Sequence, residues 1–267
     1  MREPCRGRSR APFGRGSVVV AVRLTTIALS LITTIARAVE PGEEAWGKIL
    51  SARVNDAGEV AYRSLAREDG RLLREALAGF ARVDPSRLGT DGAIAFWINA
   101  YHATVFAAVL HGESPETWAS RARMYHWFGE TLAGKRRTLD EVQVILDRYA
   151  SADPRIHLAI CNGTRGAPRL AVEPYTAERL DAQLAAAARR FVDDPERNGS
   201  APSGLELSRI FLWYRDDFER DTGSLAEFLR PLATRNDLRA ALAAPVLQIH
   251  YVAFDWRSNA APAEPAK

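Results

Sequence analysis

The stretch from Asp91 to His111 constrains this chain most, because its helical spacing places apolar residues, among them Phe96, Trp97, Ile98, Val105 and Phe106, around nearly the whole circumference. A helix that is apolar on every side has no face to give to water, so the sequence predicts a central helix with other elements packed around it. Asp91 is placed to cap its start and Gly112 to end it. The same helix poses a polarity problem. Asn99 and His102 lie three residues apart and share one face among Trp97, Tyr101, Val105 and Phe106. Buried polar groups need partners, which leaves two readings: a structural hydrogen-bond pair, or a general base with its orienting amide.

The rest of the chain supplies what such a helix needs. From Glu43 the pattern is mostly helical, interrupted by the Asn55-Asp56-Ala57-Gly58 turn and resumed through Tyr62, Leu65, Leu72, Leu73, Leu77 and Phe80. Trp118 to Lys135 is aromatic and irregular and reads as a loop packed over something, a lid or an interface. Thr138 and Glu141 have capping-box spacing ahead of a helix face made by Val142, Ile145, Leu146 and Tyr149. The period then changes to two: Ile156, Leu158 and Ile160 alternate with His157, Ala159 and Cys161, which predicts a buried strand stopped by Asn162-Gly163. Thr176 caps a helix carrying Leu180, Leu184, Ala188 and Phe191, and Pro195 to Gly204 reads as a surface loop. Ser208 starts a helix with Phe211, Tyr214 and Phe218 on one stripe, and shorter helices follow Ser224 and Asn236. Val246 to Phe254 is expected to be a second core strand, and Ala260 to Lys267 a disordered tail. These elements define an α+β fold: one helix-dominated domain over residues 39–259 with a small central sheet.

The first 38 residues read as a signal peptide, since a basic stretch ending at Arg23 precedes an apolar core and a small-x-small site, Ala36-Arg37-Ala38. That core, 13 residues from Leu24 to Ala36, is shorter than the roughly 20 needed to span a bilayer. The expectation is an exported protein, periplasmic or secreted, without a membrane span in its mature chain. Of 36 basic and 33 acidic residues the leader holds seven Arg and one Glu, so 36 − 7 = 29 basic and 33 − 1 = 32 acidic groups remain, a net charge of −3. With no basic cluster elsewhere, the counterion-release drive for nucleic-acid binding is missing, and a nucleic-acid partner is excluded. Only Cys161 of the two cysteines remains, so no intramolecular disulfide is available.

Candidate chemistry falls on few residues. Cys161 is either a small buried hydrophobe or a nucleophile. On a strand at about 3.3 Å per residue, His157 lies roughly 13 Å from it. A nucleophilic role would therefore need another base, His102, His126 or His250. The loop Asn162-Gly163-Thr164-Arg165-Gly166-Ala167-Pro168 is either a ligand loop, with glycines letting backbone N–H groups approach and Arg165 pairing a carboxylate or phosphate, or a turn needing positive φ at Gly163 and Gly166. Adjacent Asp216 and Asp217 point about 100° apart, which suits one solvated and one buried side chain better than a dyad. Asp255, at the end of the expected last strand, is placed to line a cleft. No zinc-type spacing occurs, so no metal site is expected, and no cofactor is implied.

Four segments, Phe96-Trp97-Ile98-Asn99-Ala100-Tyr101, Asp153-Pro154-Arg155-Ile156-His157 continuing to Pro168, Ser208 to Phe218, and Asp255-Trp256, occur in an order and spacing that resembles the bacterial and plant family catalogued as domain of unknown function 547, over roughly Val60 to Asn259. The resemblance implies a fold-sized unit and candidate site residues but no substrate. Against the family's pattern, His102 stands where Asn is usual, Asn162 and Ala167 where cysteines are common, and Gln143-Val144 where a Glu-His pair is frequent. If that pair is catalytic in relatives, this chain lacks an acid/base group; if it is structural, nothing functional follows. Three functions remain open. The first is a ligand-binding domain with a cleft of Asn99, His102, His157, the Gly163 to Gly166 loop and Asp255, for a small or peptidic ligand. The second is a hydrolase-like enzyme using Cys161 or a histidine-activated water. The third is a structural partner in an envelope complex with an apolar patch around Met124 to Phe128.

Overall fold

A computed structural model describes residues 41–262. The expected signal peptide lies outside the described residues. The central helix runs from Gly89 to Leu110 and is buried continuously from Gly92 to Ala108. It begins two residues before Asp91, one residue after a 3-10 turn at Pro85–Arg87, so Asp91 sits inside the first turn rather than at the cap. There its charge complements the helix dipole. Gly112 ends the helix with φ +94°. The helix is long and apolar enough to cross a membrane, but 83% of that window is buried by protein, which makes it a core helix.

Two antiparallel-spaced helical segments, Pro41–Arg53 and Gly70–Arg82, pack on one another through glycine. A Cβ placed on Gly79 would lie 2.5 Å from the Gly42 Cα, closer than any side chain tolerates. Trp46 and Tyr62 meet Phe106 of the central helix edge-on, with centroids 5.1 and 5.3 Å away, an arrangement favoured by the ring quadrupole. Arg53 closes this module by pairing with Asp69 and with Glu68. A second apolar cluster gathers the helix Leu180–Val192 and the C-terminal helices around Phe191, Phe211, Phe218 and Leu229.

Trp118 to Lys135 is ordered rather than irregular. Thr117 caps a short helix, Trp118–Ala122, which widens into a π turn over Arg123–Trp127. A hairpin follows, β1 (Gly129–Leu132) against β2 (Lys135–Thr138). Its two-residue turn is Ala133-Gly134, both with positive φ, the geometry that matches strand twist. Backbone N–H groups of Ala133 and Gly134 donate to Phe80 and Ala81, tying the hairpin to the end of the Gly70–Arg82 helix. Met124 is fully buried while Trp118 and Trp127 are exposed, so the expected apolar patch is not continuous. Thr138 and Glu141 form the expected capping box at the start of the helix Leu139–Ala150.

The β content differs from expectation. Ile156–Cys161 is not a strand: Pro154–Leu158 is a 3-10 turn, because the Asp153 carboxylate accepts from the Arg155 N–H and Pro154 occupies the first helical position. All six residues are buried, so their alternation marked no facing direction. Strands occur where a loop was expected, β3 (Gly199–Ala201) antiparallel to β4 (Gly204–Leu207). β5 (Ile249–Tyr251) joins β4 in parallel at the edge of this sheet. Val246 is 80% exposed, so the Val246 to Phe254 stretch is a three-residue edge strand and not a core strand. The α+β class stands, with two small sheets in place of one. The folded chain also passes Asn259: Val60 donates to the Asn259 carbonyl and accepts from the Ala261 N–H, so Ala260 is paired and not part of a loose tail.

The glycine contact gives a stability prediction. Gly79→Ala is expected to lower the unfolding free energy by about 1–3 kcal/mol, the usual cost of overpacking, whereas Gly199→Ala, with open space around it and no positive φ, is expected to cost less; chemical denaturation of both variants measures the difference.

Candidate functional site

The three buried polar residues of the central helix, Asn99, His102 and Thr104, are committed to backbone, Thr104 to its own helix through the Ala100 carbonyl. The Asn99 amide donates to the Tyr175 carbonyl at 2.8 Å and accepts from the Tyr175 N–H at 3.0 Å. His102 accepts from the Cys161 N–H at 3.0 Å through Nε2. They share a face without bonding each other, and each holds a separate extended segment against the helix. Burial pushes the His102 imidazole down to about 3, which keeps it neutral and able to accept.

The loop after Cys161 is likewise closed by internal bonds. Cys161 is 3% exposed, its Sγ 3.5 Å from the Asn259 amide nitrogen, and burial pushes its thiol up. Gly163 takes φ +84°, as expected, but Gly166 does not take positive φ: it is needed because a Cβ there would meet the Asp255 backbone nitrogen at 2.8 Å. The N–H groups of Arg165 and Gly166, expected to face a ligand, donate instead to the carbonyls of Arg257 and Asp255. Asn162 accepts from the Thr164 N–H and hydroxyl. Asp255 is chelated by Arg257, whose hydrogen bonds hold its carboxyl below the ordinary range. Cys161, Thr164 and Arg165 line one depression of about 450 Å³. Its other guanidiniums, Arg169 and Arg197, are paired with the two carboxylates of Asp194 and Glu196.

His157 lies in a different cleft. The 3-10 turn buries its ring, stacked on Tyr214 at 3.7 Å and 16°, with Phe218 edge-on at 5.8 Å. Nε2 meets Asp217 Oδ2 at 2.8 Å, and since a carboxylate only accepts, Nε2 carries the proton. Nδ1 is buried without a hydrogen-bond partner, with Asp147 Oδ1 at 3.9 Å and already bonded by the Gln143 amide at 2.7 Å. Burial lowers the His157 pKa against the opposing pull of Asp217 and Asp147. Burial raises the Asp217 carboxyl, but hydrogen bonds from His157 and Arg220 outweigh it and leave the group below its ordinary value. Asp216 is exposed and Asp217 half-buried, so the aspartate pair divides into one solvated and one partly covered member, without the fully buried one expected. The cleft at this histidine encloses about 360 Å³ including its mouth. Gln143 and Asn162 share its polar floor, Ile160, Ala167 and Ile210 its apolar base, and Tyr214, Trp213 and Phe254 its aromatic wall.

Of the candidate residues, then, the structure places His157 and Asn162 in one cleft, sends Cys161, Thr164 and Arg165 to another, and leaves Asn99, His102, Gly163, Gly166 and Asp255 in neither. Sequence reasoning missed Gln143, Tyr214, Trp213 and Phe254 as lining. Their signal was present in the Ser208 to Phe218 segment and in the departure at Gln143. Among the described residues no group of three His, Cys, Asp or Glu side chains is placed to hold a metal ion.

Residues 85–192 match the model of the family described as protein of unknown function, DUF547, so the chain resembles that family over a stretch reaching from the central helix through the His157 turn to the helix ending at Val192. No curated protein and no solved structure matches the chain.

The His102 contact predicts an acid limb of stability. Its folded-state pKa, about 3, lies below its ordinary 6.5, so the unfolded chain takes up the proton first; the stability contributed is full above about 6.5 and is lost as the pH falls toward 3. His102→Gln, which keeps an acceptor near the Nε2 position and cannot titrate, is expected to flatten this limb in denaturation curves recorded across that window.

Proposed function

We propose that the protein is an exported domain that binds a small or peptidic ligand in the His157 cleft and performs no thiol chemistry there. One observation carries the reading: Gln143, Asn162 and Ala167, three of the positions at which the chain departs from the family it resembles, all line this cleft. Where relatives commonly carry Glu and cysteine, this cleft presents two amides and a methyl group. Such a lining suits hydrogen bonding to a ligand better than attack on it. Cys161 opens toward the other depression, buried and with a raised thiol, which removes the thiolate a nucleophile needs. The basic and apolar leader with its Ala36-Arg37-Ala38 site supports export, to the periplasm or the medium.

A second reading rests on the Asp217–His157 pair. A carboxylate on Nε2 and a free lone pair on Nδ1 is the arrangement of a general base, and a water in the cleft is the proton source it would act on. Binding remains the better supported of the two, since Nδ1 is buried and the cleft lining holds no Ser, Thr or Cys.

The test is a fragment screen by two-dimensional NMR on the purified protein, reading the indole N–H signals. Ligands of the cleft are expected to move the Trp213 signal and leave Trp118, 79% exposed and outside the cleft, in place. A library of small amides, heterocycles and polyols that moves no Trp213 signal would contradict the proposal.

A further inference from the structure

The cleft's lining points to a narrower class of ligand, and this inference rests on the binding reading above. Its polar groups are two carboxamides, a buried imidazole and a phenol; none of its lining side chains is Asp, Glu, Lys or Arg. The imidazole is itself neutral near pH 7, since burial lowers its pKa. A ligand bearing a formal charge would find no counter-charge among these lining side chains, the nearby Asp217 and Asp147 carboxylates being already bonded by His157, Arg220 and Gln143, and would lose its hydration on entry. A neutral ligand with several hydrogen-bonding groups is therefore favoured. His157 Nδ1, in a residue 3% exposed and without a partner, awaits a donor. Asn162 uses its oxygen on Thr164, which leaves its NH₂ as a donor, and Gln143 uses its NH₂ on Asp147, which leaves its oxygen as an acceptor. Acceptor, donor and acceptor on one floor match a row of hydroxyl groups, each of which gives and takes a hydrogen bond.

The wall opposite is aromatic and continues beyond the cleft. Trp213 and Phe254 lie 5.0 Å apart and Phe254 and Trp256 4.6 Å apart, the rings tilted at 47° and 57° to each other. The Arg121 guanidinium, 3.8 Å over the Trp256 ring, fixes the far end of this strip. Trp213 is 46% exposed and borders both the cleft and the Phe254 ring. The electron-rich face of an indole attracts the positively polarised C–H edges of a saturated ring. Hydroxyls on one side and C–H groups on the other is the polarity of a sugar ring. An extended peptide is a poorer fit: no strand lines the cleft, so its backbone would find no ladder to join. Behind its open mouth the cleft holds only about 50 Å³, which admits a hydroxyl-bearing edge rather than a whole ring and leaves the ring to the aromatic strip. We infer that the His157 cleft and the Trp213–Phe254–Trp256 strip bind an uncharged glycan, a hydroxyl-bearing edge in the cleft and the sugar ring on the strip.

The experiment is titration of the purified protein with maltotriose, cellotriose and tri-N-acetylchitotriose, followed by calorimetry and by tryptophan fluorescence. At least one is expected to bind, with Trp213→Ala weakening it about tenfold or more and Trp213→Phe weakening it less. Trp118→Ala is expected to leave binding unchanged, and circular dichroism of each variant reports that it is folded. Failure of all three sugars, or binding indifferent to Trp213→Ala in a folded variant, overturns the glycan inference. If the sugars fail while an amide or heterocyclic fragment moves the Trp213 NMR signal, the glycan class is wrong and the binding cleft stands; if neither does so, both readings fall.

Discussion

The structure depends on two side-chain hydrogen-bonding groups set into a helix that otherwise offers only apolar surface. Asn99 satisfies both backbone groups of Tyr175, and His102 satisfies the Cys161 N–H. Tyr175 and Cys161 belong to the stretch between the His157 turn and the helix beginning at Leu180, which contains no strand and only one short turn. Buried backbone without a ladder has to find partners elsewhere. The central helix supplies some of them from below, and the C-terminal segment supplies others from above, through Arg257 to Arg165, Asp255 to Gly166 and Asn259 to Gly163. Losing one partner of such a bond leaves a buried group unsatisfied, a cost of about 1–3 kcal/mol.

The His157 turn stitches the two halves of the core. Ile156, Ala159 and Ile160 join the cluster around the central helix, while Leu158 joins the cluster of Phe191, Phe211 and Phe218. His157 lies at that seam, and the cleft opens where the halves meet. Packing therefore decides the chemistry. Tyr214 and Phe218 clamp the ring, Asp217 fixes which nitrogen bears the proton, and burial keeps the imidazole uncharged. An acceptor without a partner is costly in a core, and here it belongs to a ring that borders a cavity.

Local signals in the sequence were legible wherever one element's own chemistry decided its form. The all-apolar helix, the Thr138–Glu141 box, the Phe211 and Phe218 stripe and the helices after Ser224 and Asn236 are all present. Ile156 to Cys161 misled because complete burial makes any alternation look like a strand; Asp153-Pro154 was the local cue for a 3-10 turn. Pro195 to Gly204 misled in the opposite sense. Its turn residues are real, but Arg197 and Asn198 within it are buried, bonded to the Ala167 and Phe191 carbonyls. The cleft itself was illegible, since Gln143, His157, Trp213 and Phe254 come from four separated segments and meet only through tertiary packing.

The central claim is that His157 carries its proton on Nε2 and keeps an uncharged, unpartnered Nδ1 in a ring that borders the cleft. Nitrogen-15 NMR of the histidine rings, recorded from pH 5 to 8 on the labelled protein and assigned with His157→Gln, tests it directly. The account predicts the neutral Nε2–H form at pH 7, with a midpoint below the ordinary 6.5. An Nδ1–H tautomer, or an imidazolium persisting at neutral pH, would contradict it.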